Sequence, residues 1–285
     1  MKKIIRIAIV LFAIVSGTVN AQTVAPKLEN SLLWEISGNG LGSPSYLYGT
    51  MHMMCENEFQ IKDKVKSAFE KTSKVALELD YDNPDEIHYM QKMATSAKPL
   101  STVLSSEAYK ELDQFLKLKL GVGASHFENS SLVMIISSVM LKNINCSPKM
   151  FEFEFMKLAG GRDMDLVGLE KAEDQDIAFK QSYTDEDYID QLKFYDSQFF
   201  KSIAKDYNDE NLMKVYTILT DKKIMGSNAR NLMLDTRNKN WVGKMPKLMH
   251  ENAVFFAVGA AHLPGNNGLV NLLREAGYTV KPIFK

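Results

Sequence analysis

Phe255-Phe256-Ala257-Val258-Gly259-Ala260-Ala261-His262 is the stretch on which the fold turns. Its apolar run from Ala253 to Val258 reads as a buried strand. Gly259 ends the run, where a backbone can turn sharply or be closely approached, and a histidine follows three positions later. The same figure stands near the front of the chain, in Tyr46-Leu47-Tyr48-Gly49-Thr50-Met51-His52. Two pseudo-repeated strand–Gly-x-x-His motifs, with histidines 210 positions apart, predict one sheet built from both ends of the chain. Both histidines then sit in loops at one sheet edge, where α/β proteins place their sites.

Working outward, Leu32 to Ile36 and Ser45 to Tyr48 read as a hairpin across a Gly- and Pro-rich turn. Lys62 to Ser73 carries Val65, Ala68 and Phe69 on one helical face. Lys74 to Leu79 and Asp165 to Glu170 read as short strands, and Tyr278 to Phe284 as a closing one. Residues 85–144 are predicted mainly helical: Glu107 to Leu120 is amphipathic and stops at Gly121, and Leu132 to Leu141 is apolar enough to predict a buried helix. Phe151 to Leu158 and Asn267 to Ala276 read as further helices. Asp185 to Met245 reads as helical, punctuated by Gly226 and Pro246. The expected fold class is α/β (α+β): a central mixed β-sheet flanked by helices, with a mainly helical insertion.

The 285 residues are 45% hydrophobic and 24% charged, with a formal charge of −1. That composition excludes a disordered, collagen-like or multi-span membrane protein. The charge gives no electrostatic reason to bind nucleic acid or anionic lipid. Lys2, Lys3 and Arg6, an apolar stretch of about 12 residues, too short to span a bilayer, and the small-residue exit Val19-Asn20-Ala21 read as a secretory signal peptide cleaved after Ala21. The expected organisation is therefore a signal over 1–21 and one domain over 22–285. The mature chain is expected to be soluble, periplasmic or secreted, with no stable membrane insertion. In an oxidising compartment Cys55 and Cys146 can pair; two buried thiols fit the sequence equally.

Two acids sit on the short apolar strands: Glu78 inside Val75–Leu79 and Glu170 closing Leu166–Leu169. A carboxylate is costly to bury unpaired, so a cation, a metal or a hydrogen-bond network is expected to receive each one, unless the strands alternate outward to solvent. Two imidazoles and one or two carboxylates suit a divalent metal ion, which gives His52 and His262 with Glu78, Glu170 or both as candidate ligands. Arg237 is the candidate fixed cation. Arg230-Asn231 repeats the Arg237-Asn238 dipeptide, and spacing alone does not choose between them. His88, His126 and His250 lie in polar or helical context and read as surface residues.

In this order, Leu33-Trp34-Glu35-Ile36, Tyr48–His52, Glu78-Leu79-Asp80, Gly168-Leu169-Glu170 with Gln175, Arg237-Asn238 with Trp241, and Val258–Gly265 resemble the TraB/GumN (PrgY) family. That family is related to the TIKI metalloproteases and to ChaN-like and erythromycin-esterase-like proteins. The resemblance implies a site made of His52, His262, Glu78 and Arg237, prefers Arg237 over Arg230, and leaves the role of Glu170 open. It implies metal-dependent hydrolysis of peptides or proteins, with Mn, Co or Zn as the ion. In that scheme Glu170 moves protons and Arg237 steadies an oxyanion. It equally admits a non-catalytic protein that binds a peptide, as in the PrgY branch, or haem, as in the ChaN-like one.

Overall fold

The computed structural model describes residues 28–284; the expected signal peptide lies outside them. The chain enters with β1 (Leu33–Ser37), turns through Gly38, Asn39 and Gly40, all at positive φ, and returns as β2 (Ser45–Thr50). A two-residue strand β3 (Met54–Cys55) leads to α1 (Asp63–Glu70), whose Val65, Ala68 and Phe69 are buried as their spacing predicts. β4 (Lys74–Leu77) follows. Then come α2 (Pro84–Met93), α3 (Leu100–Val103), α4 (Ser106–Leu120) and α5 (Leu132–Ile144). β5 (Pro148–Lys149), α6 (Phe151–Gly160), β6 (Asp165–Gly168) and α7 (Ala172–Ser182) come next. The long helical stretch divides into α8 (Asp185–Leu192), α9 (Ser197–Asn208), α10 (Leu212–Leu219), α11 (Ser227–Arg230), a π-helical turn over Asn231–Thr236, and α12 (Arg237–Glu251). The chain closes with β7 (Val254–Gly259), a 3₁₀ turn at Ala260–His262, α13 (Leu269–Glu275) and β8 (Thr279–Pro282).

Six strands form one mixed sheet in the order β6-β4-β7-β2-β1-β8. The four on the β6 side are mutually parallel, and β1 is antiparallel to both β2 and β8. The two histidine motifs are neighbours in this sheet: β2 pairs with β7 in register, Thr50 opposite Gly259. Glu78 leaves β4 and Glu170 leaves β6 at the same edge, where the Glu170 amide donates to the Glu78 carbonyl (3.0 Å). The carboxyl ends of four parallel strands therefore deliver His52, Glu78, Glu170 and His262 to one place. The expected α/β class and mixed sheet are what the structure shows.

The main core runs through Trp34, Leu47, Val75, Phe155, Trp241 and Phe255. The insertion has a second, smaller core of its own, including Leu112, Leu116, Ile135, Val139 and Leu192. That core explains one departure from expectation. α5 is largely apolar, but only Ile135 and Val139 are buried, and Met134 and Leu141 are exposed. A small helical layer gives a helix one partner face and not several. A second departure is Pro246, which lies inside α12 and does not end it. Proline removes one helical hydrogen bond and crowds the preceding turn. Burial of Trp241, Met245 and Met249 along one stripe holds the helix against the sheet through that defect.

Cys55 and Cys146 form a disulfide, Cα to Cα 5.7 Å. It staples β3 to β5, which pair with each other in a separate two-stranded ribbon. The bridge spans 91 residues of sequence, so it restrains the unfolded insertion strongly. Changing both cysteines to serine is expected to cost about 2–5 kcal/mol of stability. Urea unfolding of this variant, and of the native chain under reductant, should show the same loss. Equal midpoints for all three would overturn the expectation.

Candidate functional site

Arg237 is the hub of the buried edge. The π-helical turn before it brings Met233 O within 2.9 Å of its Nη1. Its Nε donates to both oxygens of Glu170 (3.0 and 3.1 Å), and Nη2 donates to Glu170 Oε1 (2.5 Å) and Glu78 Oε2 (2.6 Å). Nη1 also reaches His262 Nε2 at 3.3 Å. Every N–H of the guanidinium is committed to the protein. Trp241 stacks beneath, 4.8 Å from the guanidinium and 4.4 Å from the His262 ring, and its Nε1 donates to Glu170 Oε2 (3.2 Å). Gln175 donates to Glu170 Oε1 at 3.1 Å. Arg230 is elsewhere, against the Tyr216 hydroxyl.

Glu78 is buried, a setting that raises a carboxylate pKa. Arg237 first, then the His262 and His52 rings and the Gly259 amide, outweigh this and hold it well below the usual range. Its Oε1 accepts from that amide at 2.7 Å. For Glu170, desolvation wins over the Arg237 contacts and raises the pKa.

The two histidines are held from behind. Asn238 spends its amide N–H groups on the carbonyls of His262 and Asn267 (3.2 and 2.8 Å), so its Oδ1 accepts from His262 Nδ1 at 2.6 Å. That leaves Nε2 of His262 bare of its own proton, which the donor-only Arg237 contact requires. His52 Nδ1 donates to Glu152 Oε1 at 2.8 Å, so its Nε2 faces away from that carboxylate. Gly259 stands between the two motifs. A β-carbon built there would lie 3.3 Å from Glu78 Oε1, 3.6 Å from His262 Cδ2 and 3.6 Å from His52 Nε2. All three side chains thus converge on one point that glycine leaves free.

Burial lowers the His262 pKa to about 3; the Glu78 charge opposes this, and the Arg237 and His52 charges reinforce it. Below about pH 6.5 the unfolded ring takes a proton that the folded ring refuses. Stability is therefore expected to fall as pH drops from about 6.5 towards 3, by about 1.4 kcal/mol per pH unit from this group. Thermal melts of His262→Gln should be flatter than wild type over that window; parallel curves would overturn this. His52 behaves oppositely. Partial desolvation pulls its pKa down, but the Glu152 charge and hydrogen bond raise it to about 9, so its contribution is lost as pH rises towards 9.

Every residue singled out at this edge from sequence is brought together: His52, Glu78, Glu170, Arg237 and His262. His88, His126 and His250 are exposed. Sequence reasoning missed Glu152, and it gave Asn238 no role. The signal for Glu152 was present, since it shares the stripe of Phe155 and Ala159 on α6, all buried. An acid on an apolar helical stripe asks for a partner, as the strand acids did.

As the side chains stand, no three His, Cys, Asp or Glu form a closed metal cage among the described residues, because Arg237 flanks both Glu78 and His262. The donor chemistry nevertheless fits a divalent ion. Two imidazoles are anchored through Nδ1, a carboxylate oxygen shares their convergence point, and three buried carboxylates (Glu78, Glu152 and Glu170) face one guanidinium and the His52 ring. Glu152 Oε2 has no hydrogen-bond partner among the described residues.

The TraB/PrgY/gumN family model matches residues 32–282. This chain belongs to that family. Similar proteins include the human metalloprotease TIKI1, 24% identical over 93% of this chain and 64% of its own length. Zebrafish metalloprotease TIKI2 is 22% identical over 90% of this chain and 62% of its own. The chain thus spans under two-thirds of the length of these curated relatives. No solved structure matches it. No helix among the described residues is long and apolar enough to cross a membrane.

Proposed function

We propose that this TraB-family protein is an exported, metal-dependent hydrolase that cleaves peptides or proteins. The observation that carries the reading is the convergence of His52, Glu78 and His262 around Gly259 with both Nδ1 edges already occupied. His52, Glu78 and His262 would hold the ion, with Mn, Co and Zn suited to such donors; Arg237 would give up its contact to His262 Nε2. When bound, the ion supplies Lewis-acid polarisation of the scissile carbonyl.

The chain's own residues supply the rest. Glu78 stays ionised beside Arg237 and presents Oε1 to the convergence point. Arg237 keeps its bonds to Glu78, Glu170 and the Met233 carbonyl, so it acts chiefly by its fixed charge near the developing oxyanion. Glu170, buried under Arg237 and Trp241, locks that charge in place; this supports a positioning role over a proton-moving one. His52, with 63% of its side chain exposed, is the group that meets substrate. The disulfide supports export, because such bridges persist in oxidising compartments. The segment 1–21 as a cleaved signal and 22–285 as one domain are part of this proposal.

The test is metal analysis of the purified full chain together with cleavage of an unbiased peptide library. About one equivalent of ion, lost in His52→Ala and His262→Ala, with metal-dependent cleavage, is the expected result. Absence of bound ion after repletion with manganese, cobalt and zinc would overturn it. Peptides that bind with unchanged mass would favour a binding protein without turnover.

A further inference from the structure

Glu152 is buried on α6 between Phe151 and Phe155. Its Oε1 accepts from His52 Nδ1 at 2.8 Å, and Thr50 Oγ1 lies 3.4 Å away. Its Oε2 is buried with no hydrogen-bond partner among the described residues. A carboxylate kept only for structure would satisfy both oxygens or give way to an apolar side chain of similar volume. This one tolerates an orphaned oxygen in order to place its charge on a single ring nitrogen. The backbone reinforces the placement. β3 begins two residues after His52, β5 ends three residues before Glu152, and the two strands pair directly, Met54 opposite Lys149. The Cys55–Cys146 bridge closes the same ribbon. The 100 residues between His52 and Glu152 are thus reduced to a short, stapled span.

We propose that Glu152 is a positioning residue: it fixes the proton of His52 on Nδ1, sets the ring plane, and leaves Nε2 as the donor aimed at the Gly259 point. This deepens the metal-dependent reading and rests on it for the chemistry that Nε2 performs. Carboxylates behind ligating imidazoles fix the tautomer and strengthen the ligand, and removing them typically costs 10–100-fold in metal affinity.

The experiment compares the full oxidised chain with Glu152→Gln, Glu152→Asp and Glu152→Leu. One readout is the His52 ring nitrogens in ¹⁵N–¹H correlation spectra of the metal-free protein, recorded above the His52 pKa so that the ring carries a single proton. The other is zinc and manganese affinity by calorimetry. Glu152→Gln is expected to bind zinc about 10–100-fold more weakly and to shift the His52 Nδ1 resonance, with the stability contribution of the His52–Glu152 pair lost below about pH 9. Glu152→Asp, which keeps the charge but withdraws it, should fall between. Should Glu152→Leu not fold, Glu152→Gln alone decides. An unchanged His52 Nδ1 resonance in Glu152→Gln would overturn the proposal. Were the wild-type chain to bind no metal, the hydrolase reading would fail, while the Nδ1 resonance would still decide the role of Glu152.

Discussion

Arg237→Met is expected to destabilise the protein by about 3–5 kcal/mol, the usual consequence of leaving buried carboxylates without their cation. For a chain of this size that lowers the melting temperature by on the order of 10 °C. The cause is specific. Glu78 and Glu170 have side chains only 7% exposed, and Arg237 bonds both. The loss should also depend on pH in a way that a packing defect would not. Glu78 has a depressed pKa in the native fold, so its favourable contribution exists above the ordinary carboxylate range and disappears as pH falls. Without Arg237 that depression goes, and protonation relieves the buried charge. The gap between variant and wild type should therefore narrow from pH 7 to pH 4.5 in thermal melts. A gap that stays constant would mean the guanidinium matters for its volume alone. Arg237→Lys should recover only part of the loss, since an ammonium cannot fork between two carboxylates.

The second large effect is expected in function with little change in stability. Gly259 has φ −52, so alanine is free of backbone strain there. Its methyl group, however, would occupy the point on which His52, Glu78 and His262 converge. Gly259→Ala is expected to keep its melting temperature within a few degrees, while metal affinity and hydrolysis fall on the order of 100-fold, the scale of a small misplacement at a reacting centre. Gly49→Ala is the contrasting control. A β-carbon at Gly49 would crowd Ala260 Cα (3.1 Å) and Leu263 Cδ2 (3.2 Å). It should lose about 1–3 kcal/mol through overpacking. If both glycines behaved alike in melting and metal-binding assays, the convergence point would have no chemical meaning.

The architecture was legible in the sequence wherever local pattern and global burial agree. The runs before Gly49 and Gly259 are apolar because β2 and β7 are interior strands, and their neighbouring glycines and histidines follow. Glu78 and Glu170 could be read because an acid on a short apolar strand contradicts its surroundings. Glu152 contradicts its surroundings as well, but its partner lies 100 residues away and shares no motif with it, so nothing in the chain names the pair. The choice of Arg237 over Arg230 rested on resemblance to the family; the structure gives the physical reason, since the π-helical turn and Trp241 hold only the former at the carboxylates. The apolar composition of α5 was over-read because composition does not reveal how many neighbours a helix has. The disulfide stayed undecided because only the β3–β5 pairing brings its cysteines together.

The parallel pairing of β2 with β7 sets a schedule. The first histidine is made early, its partner 210 residues later, and the two meet only when the late strand slides in beside the early one. Contacts of such long sequence separation form slowly. A polypeptide still emerging from the ribosome holds His52 without His262 beside it. Assembly of the site at the last step is thus written into the order of the residues.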